Sequence, residues 1–179
     1  MTTTLARATS GVAAGCVLIG MLSACTPAPE PKPKPTKTAL FASDEEAFAA
    51  AEETYQAYVA GLNETDLRND ETFEPVYSWL TASALSSERE NLSYYHAEHL
   101  TRVGETTFDS YTPVSRSAKK IVANLCLDVS GVDLLDVDSQ SVLPEDRVSR
   151  RALKVTFVPG ETPTHLKIAS NHQPESFKC

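Results

Sequence analysis

From Ser43 onward, Phe48, Ala51, Tyr55, Val59 and Leu62 recur at helical spacing. That period lays one apolar stripe along a helix of about five turns, and Ser43 followed three places later by Glu46 is a capping box that starts it. Gly61 and Asn63 mark its expected end. Glu74-Pro75 opens a short second helix carrying Val76, Tyr77, Trp79 and Leu80, because proline is tolerated in a first helical turn. A third helix is expected from near Ser83, with Leu85, Leu92, Tyr95, His99 and Leu100 on one side and Gly104 as its stop.

Beyond Gly104 the apolar period drops to two. Phe108 to Val114 reads as a strand. Ile121, Ala123, Leu125, Leu127 and Val129 then alternate with Val122, Asn124, Cys126 and Asp128, so this strand has one strongly apolar face and Cys126 points to the other. Val132 to Val137 is expected to continue it past a break at Ser130-Gly131, and Asp138-Ser139-Gln140 reads as a turn. Leu153, Val155 and Phe157 form one face of a further strand. After a turn at Pro159-Gly160, Leu166 and Ile168 return opposite it as a hairpin.

Three helices followed by antiparallel strands imply an α+β domain with a curved sheet wrapped on the first helix. The chain here resembles the nuclear transport factor 2-like, or SnoaL-like, superfamily. The resemblance rests on EEAFAAAEETYQAYVAGLN, on the helix pair around ETFEPVYSWL and on the strand string IVANLCLDVSGVDLLDVD, and spans most of residues 43 to 170. It implies a cone-shaped, cystatin-like arrangement whose open end can be an apolar pocket, used by some members for acid–base chemistry and by others only for binding. Tyr55, Tyr58, Trp79, Tyr95 and His99 are the side chains expected to line such a pocket.

The chain ahead of this domain has a different character. Arg7 is followed by an apolar stretch from Gly11 to Met21, too short to span a bilayer comfortably and so read as a signal peptide, residues 1–24. Leu22-Ser23-Ala24-Cys25 at its end resembles the lipobox of bacterial lipoproteins, which implies cleavage before Cys25 and diacylglycerol on its thiol. Residues 25–39 form the linker, with proline at 27, 29, 31, 33 and 35. At about 3.1 Å per residue, such an extended segment spans roughly 40 Å. Residues 40–179 are left as a single globular domain.

Charge supports that division. Residues 26–39 carry a net charge of +2, whereas residues 40–179 hold 12 basic and 23 acidic side chains, a net of −11. A basic stem suits an anionic membrane surface, and the acidic body excludes nucleic acid as a partner. Cysteine usage then follows. Cys16 leaves with the signal and Cys25 is acylated, so Cys126 and Cys179 remain in a compartment where disulfides persist. They are expected to pair, the other reading being two buried thiols. No C-x-x-C spacing supports redox or metal chemistry.

Catalytic and metal signals are sparse. An isomerase-type site needs a carboxyl with a raised pKa and a tyrosine or acid donor, and no aspartate stands on an apolar strand face to serve. His96 and His99 lie three apart but do not form H-E-x-x-H. Asp136-Val137-Asp138-Ser139-Gln140 starts like a calcium loop but has Ser141 and Arg147 where glycine and glutamate belong. Arg147, Arg150 and Arg151 are expected to neutralise Glu145 and Asp146 and to guard an edge strand. No cofactor or metal is expected.

Together these readings describe a lipoprotein on the extracytoplasmic face of a bacterial membrane, held by its N-terminal lipid. Its domain is read as a non-catalytic module for a small apolar ligand or an envelope protein. The alternative is an acid–base isomerase, dehydratase or cyclase of the same fold.

Overall fold

In a computed structural model, residues 39–179 are described; the expected signal peptide, the lipobox-like stretch and most of the expected linker lie outside them. The fold is α+β. Helices α1 (Asp44–Glu64), α2 (Glu74–Tyr77) and α3 (Ala82–Ala97) precede strands β1 (Thr101–Val103), β2 (Thr107–Arg116), β3 (Ile121–Asp128), β4 (Asp133–Leu135), β5 (Arg150–Pro159) and β6 (Leu166–His172). One antiparallel sheet has the order β2-β3-β5-β6, and β1 pairs with β4 in a separate two-stranded sheet.

Helix α1 starts as its sequence dictates. The Ser43 hydroxyl accepts from the Glu46 N–H at 3.1 Å, and the Glu46 carboxylate accepts from the Ala42 N–H at 2.7 Å, which satisfies two amide donors that the helix itself cannot. Its stripe buries Ala47, Ala51, Tyr55, Tyr58 and Val59. These pack on Ile121, Ala123 and Leu125 of β3, Val155 and Phe157 of β5 and Ile168 of β6, the strand faces that alternation placed inward. Phe157 and Leu125 are fully buried, and each such side chain contributes about 1.5–3 kcal/mol.

Helix ends depart from expectation. Gly61 and Asn63 lie inside α1, which runs to Glu64. Asn63 instead forms a two-way clamp with Thr106, donating to its carbonyl at 2.8 Å and accepting from its N–H at 2.9 Å. Gly104 does not stop α3. His99 does, at φ 56°, in a Schellman arrangement where Leu100 N–H reaches the Tyr95 carbonyl and His99 N–H the His96 carbonyl, both at 3.0 Å. Leu100 and Tyr95 belong to one apolar cluster, and that contact compensates for a non-glycine residue in the left-handed region. Gly104, at φ 78°, is the point where the chain passes against Gly131.

Two strand expectations are also corrected. Val132 to Val137 does not extend β3; Asp133–Leu135 turns away to pair with Thr101–Val103, a strand too short for its alternation to stand out. The Asp138-Ser139-Gln140 turn is present, with the Asp136 carboxylate accepting from the N–H groups of Asp138 and Gln140 at 2.9 Å. Arg150 and Arg151 do not guard an edge, because β5 is interior and β2 and β6 are the edges. Edge strand β2 carries register shifts between Asp109 and Thr112 and between Pro113 and Ser115. Such bulges bend a strand, and the Tyr111 hydroxyl, donating to the Phe48 carbonyl at 3.0 Å, holds the bent strand to α1.

Cys126 and Cys179 are bonded, with Cα atoms 5.7 Å apart. The bond lies on the face of β3 opposite the helices. It fixes the strandless C-terminal tail to the sheet, and Pro174 within that tail is buried.

Candidate functional site

At the end of the sheet where β3 finishes and β5 begins, the chain leaves to form the β1–β4 pair. A cavity of about 340 Å³ opens there between the two apolar clusters of the domain. The C-terminal half of α1 supplies Tyr58 and Leu62, α3 supplies Glu88, Leu92 and Tyr95, β1 supplies Arg102, and Leu127 and Arg151 come from β3 and β5.

Glu88 is the chemically distinctive group. It stands four residues from Ala84 and four from Leu92, both buried, so helical geometry turns it inward between them. Its carboxylate accepts a 2.9 Å hydrogen bond from the Tyr58 hydroxyl. Burial raises the Glu88 pKa, while that hydrogen bond and the charge of Arg102 pull it down without cancelling the rise. Tyr58 is pushed up in turn, chiefly by burial and then by the adjacent carboxylate. The pair therefore keeps the Tyr58 proton on its phenol and makes Glu88 readier to take one up than an exposed glutamate.

Arginines set the field around that pair. Burial lowers the pKa of Arg102, partly offset by Glu88, and its Nη1 is buried without a hydrogen-bond partner. Arg151 lies on the inward face of β5 with Leu153, Val155 and Phe157, opposite Leu127 of β3. Its neighbour Arg150 faces the other way and pairs with Asp109 at 2.6 Å and Asp128 at 3.4 Å. Arg147 donates from Nη2 to the carbonyls of Val129 at 3.0 Å and Val132 at 2.5 Å. Glu145 and Asp146 are not its partners; it ties down the loop beside β4.

Of the residues expected to line a pocket, Tyr58 and Tyr95 do so. Tyr55 is sealed in the core, its ring 4.9 Å from that of Phe108 in an edge-on contact. Trp79 packs against the same core and its carbonyl accepts from Ile168 N–H at 2.9 Å. His99 is exposed at the end of α3, and the His96 ring contacts the Leu67 carbonyl at 2.8 Å. Among the described residues no cluster of His, Cys, Asp and Glu is arranged to hold a metal ion. Sequence reasoning missed Glu88, although its four-residue spacing from Ala84 and Leu92 was a usable signal. It also missed the inward direction of Arg151, which alternation with Leu153 encodes.

A second hollow, about 410 Å³, lies beside the start of α1 and is lined largely by Leu40, Phe41, Ile121, Pro159 and Leu166. Its arginine, Arg116, is already held by Asp44 at 2.7 Å and the Phe41 carbonyl at 2.8 Å. It offers no comparable chemistry.

No family profile matches the chain, and no curated protein matches it. Among solved structures, a protein from Catenulispora acidiphila in complex with S-DNPA is 15% identical at a TM-score of 0.47, covering 72% of this chain and 92% of its own. A Novosphingobium aromaticivorans protein provisionally assigned as an aromatic ring hydroxylase is 12% identical at 0.47, with 72% and 88% covered. Aln2 from a Streptomyces species is 10% identical at 0.43, with 72% and 90% covered.

Proposed function

We propose that this chain is a membrane-anchored cell-envelope lipoprotein whose α+β domain binds a small molecule in the cavity between α1, α3 and the sheet. The observation carrying the binding reading is the cavity itself. Its volume of about 340 Å³ lies within the range of small-molecule sites, which combine apolar walls with a few convergent polar groups. Here Leu62, Leu92, Leu127 and Leu134 are the walls, and Glu88, Tyr58, Arg102 and Arg151 the polar groups. The extracytoplasmic location is supported by the lipobox ending at Cys25 and by the Cys126–Cys179 bond, since disulfides persist outside the reducing cytosol.

Leu127→Trp tests the binding reading by filling the cavity from a half-buried wall. Ligands found by a fragment screen are expected to be lost in this variant while its circular dichroism is retained; undiminished binding refutes the site. Cys25→Ala is expected to abolish fatty-acid labelling and release the protein from membranes, and unchanged retention refutes the anchor.

A second reading, acid–base catalysis of isomerase, dehydratase or cyclase type, is favoured by one observation: Glu88 joins a raised pKa to a phenol partner. A general base near its operating pH is made in this way. Glu88→Gln separates the two readings, because it removes any turnover, whereas a binding module still takes up ligand without it.

A further inference from the structure

We propose that the ligand of this cavity is an organic anion, a carboxylate carried on an apolar body, whose charge is held by Arg102 and Arg151. The inference rests on the cavity being a binding site and names its ligand class. Residues 40–179 have a net charge of −11, yet the cavity gathers Arg102, Arg147 and Arg151 around a single carboxyl group, Glu88. A cationic hollow in an acidic domain is not what solubility alone produces.

The three arginines differ in what they already hold. Arg147 is committed to two backbone carbonyls. Arg102 has a buried Nη1 with no partner, and neither Arg102 nor Arg151 has a described carboxylate within ion-pair distance. Asp109 and Asp128, the acids nearest in register to the start of β5, are both taken by Arg150. Glu88 is engaged by Tyr58 and forms no ion pair within 4.0 Å with either free arginine. A buried guanidinium nitrogen lacking an acceptor, as Nη1 of the half-buried Arg102 is, is costly. An incoming carboxylate removes that cost by accepting from the guanidinium fork, the geometry arginine matches best. Leu62, Leu92, Leu127 and Leu134 then face the apolar body. A neutral ligand offers Arg102 at most an uncharged acceptor, without the bidentate charge-assisted pairing of a carboxylate, and a cation meets the wrong field.

Calorimetric titration of the full chain with 1-naphthoate and with its uncharged counterpart 1-naphthylmethanol tests this. Naphthoate is expected to bind at least about ten-fold more tightly. Arg102→Met and Arg151→Met are each expected to weaken naphthoate about ten-fold and leave the alcohol unchanged. Circular dichroism checks that Arg102→Met folds; should it fail to fold, Arg151→Met, at an exposed side chain, carries the test. Equal binding of acid and alcohol, or a preference that survives both substitutions, overturns the anion inference and leaves the cavity a binding site. Binding of neither compound overturns both.

Discussion

Removing the Cys126–Cys179 bond is the perturbation whose size follows most directly from the structure. The bond closes a loop with a sequence separation of 53. The chain-entropy treatment assigns such a loop about 4 kcal/mol of stabilisation through the unfolded state. The folded side of the balance adds little to oppose the change. Residues 173–179 form no strand, so only the burial of Pro174 and part of Phe177 holds the tail once the bond is gone. For a domain near 140 residues, roughly 3 °C of melting temperature is lost per kcal/mol, so the double variant Cys126→Ala/Cys179→Ala is expected to melt about 12 °C lower. Urea unfolding of parent and variant measures the free energy, and hydrogen exchange of the tail amides measures local release. Cys126 is 2% exposed, and the missing sulfur adds a small packing loss in the same direction. A difference below about 1 kcal/mol with a still-protected tail would falsify the assignment of the bond as a cross-sheet staple.

Glu88 gives a prediction with a definite sign. Its folded pKa is raised above 4.5, so its stabilising contribution is complete below that value and is lost as pH rises through the folded one. Glu88→Gln is therefore expected to be more stable than the parent at pH 8 and to match it near pH 4; a pH-independent difference contradicts the buried-carboxyl account. Gly104→Ala is expected to lose about 2 kcal/mol or more, because φ is 78° and an added methyl overlaps the Gly131 carbonyl oxygen. Gly61→Ala inside α1 meets nothing closer than Val76 Cγ2 at 3.9 Å, and is expected to gain up to about 1 kcal/mol. Chemical denaturation of both variants checks the pair, and equal effects refute the distinction.

The elements of this domain were legible because their signals are local. The stripe from Phe48 to Leu62, the alternation from Ile121 to Val129 and the Ser43–Glu46 cap each lie within one segment. The same alternation placed Cys126 on the face away from the helices, where its disulfide is found. Legibility failed where a terminus depended on a distant contact. Gly104 resembles a helix stop, but its conformation serves the approach to Gly131, while His99 ends α3 with help from Leu100 packing in the second cluster. β1 and β4 are three residues each and pair with one another across some thirty residues of sequence, so neither carries a local signal of its own.

The candidate site belongs almost wholly to the tertiary structure. Glu88 sits in SSEREN, a run whose composition is that of any solvated helix face, and only the packing of α3 beside α1 brings its carboxylate to the Tyr58 hydroxyl. Arg102 and Arg151 are 49 residues apart in sequence and line one cavity because the chain turns aside between β3 and β5. Local pattern determines which residues form helix or strand and which way each side chain points, since those properties repeat within a few residues. Which pointing side chains meet, and whether a buried charge finds a partner, depends on elements distant in sequence and was decided only when they packed.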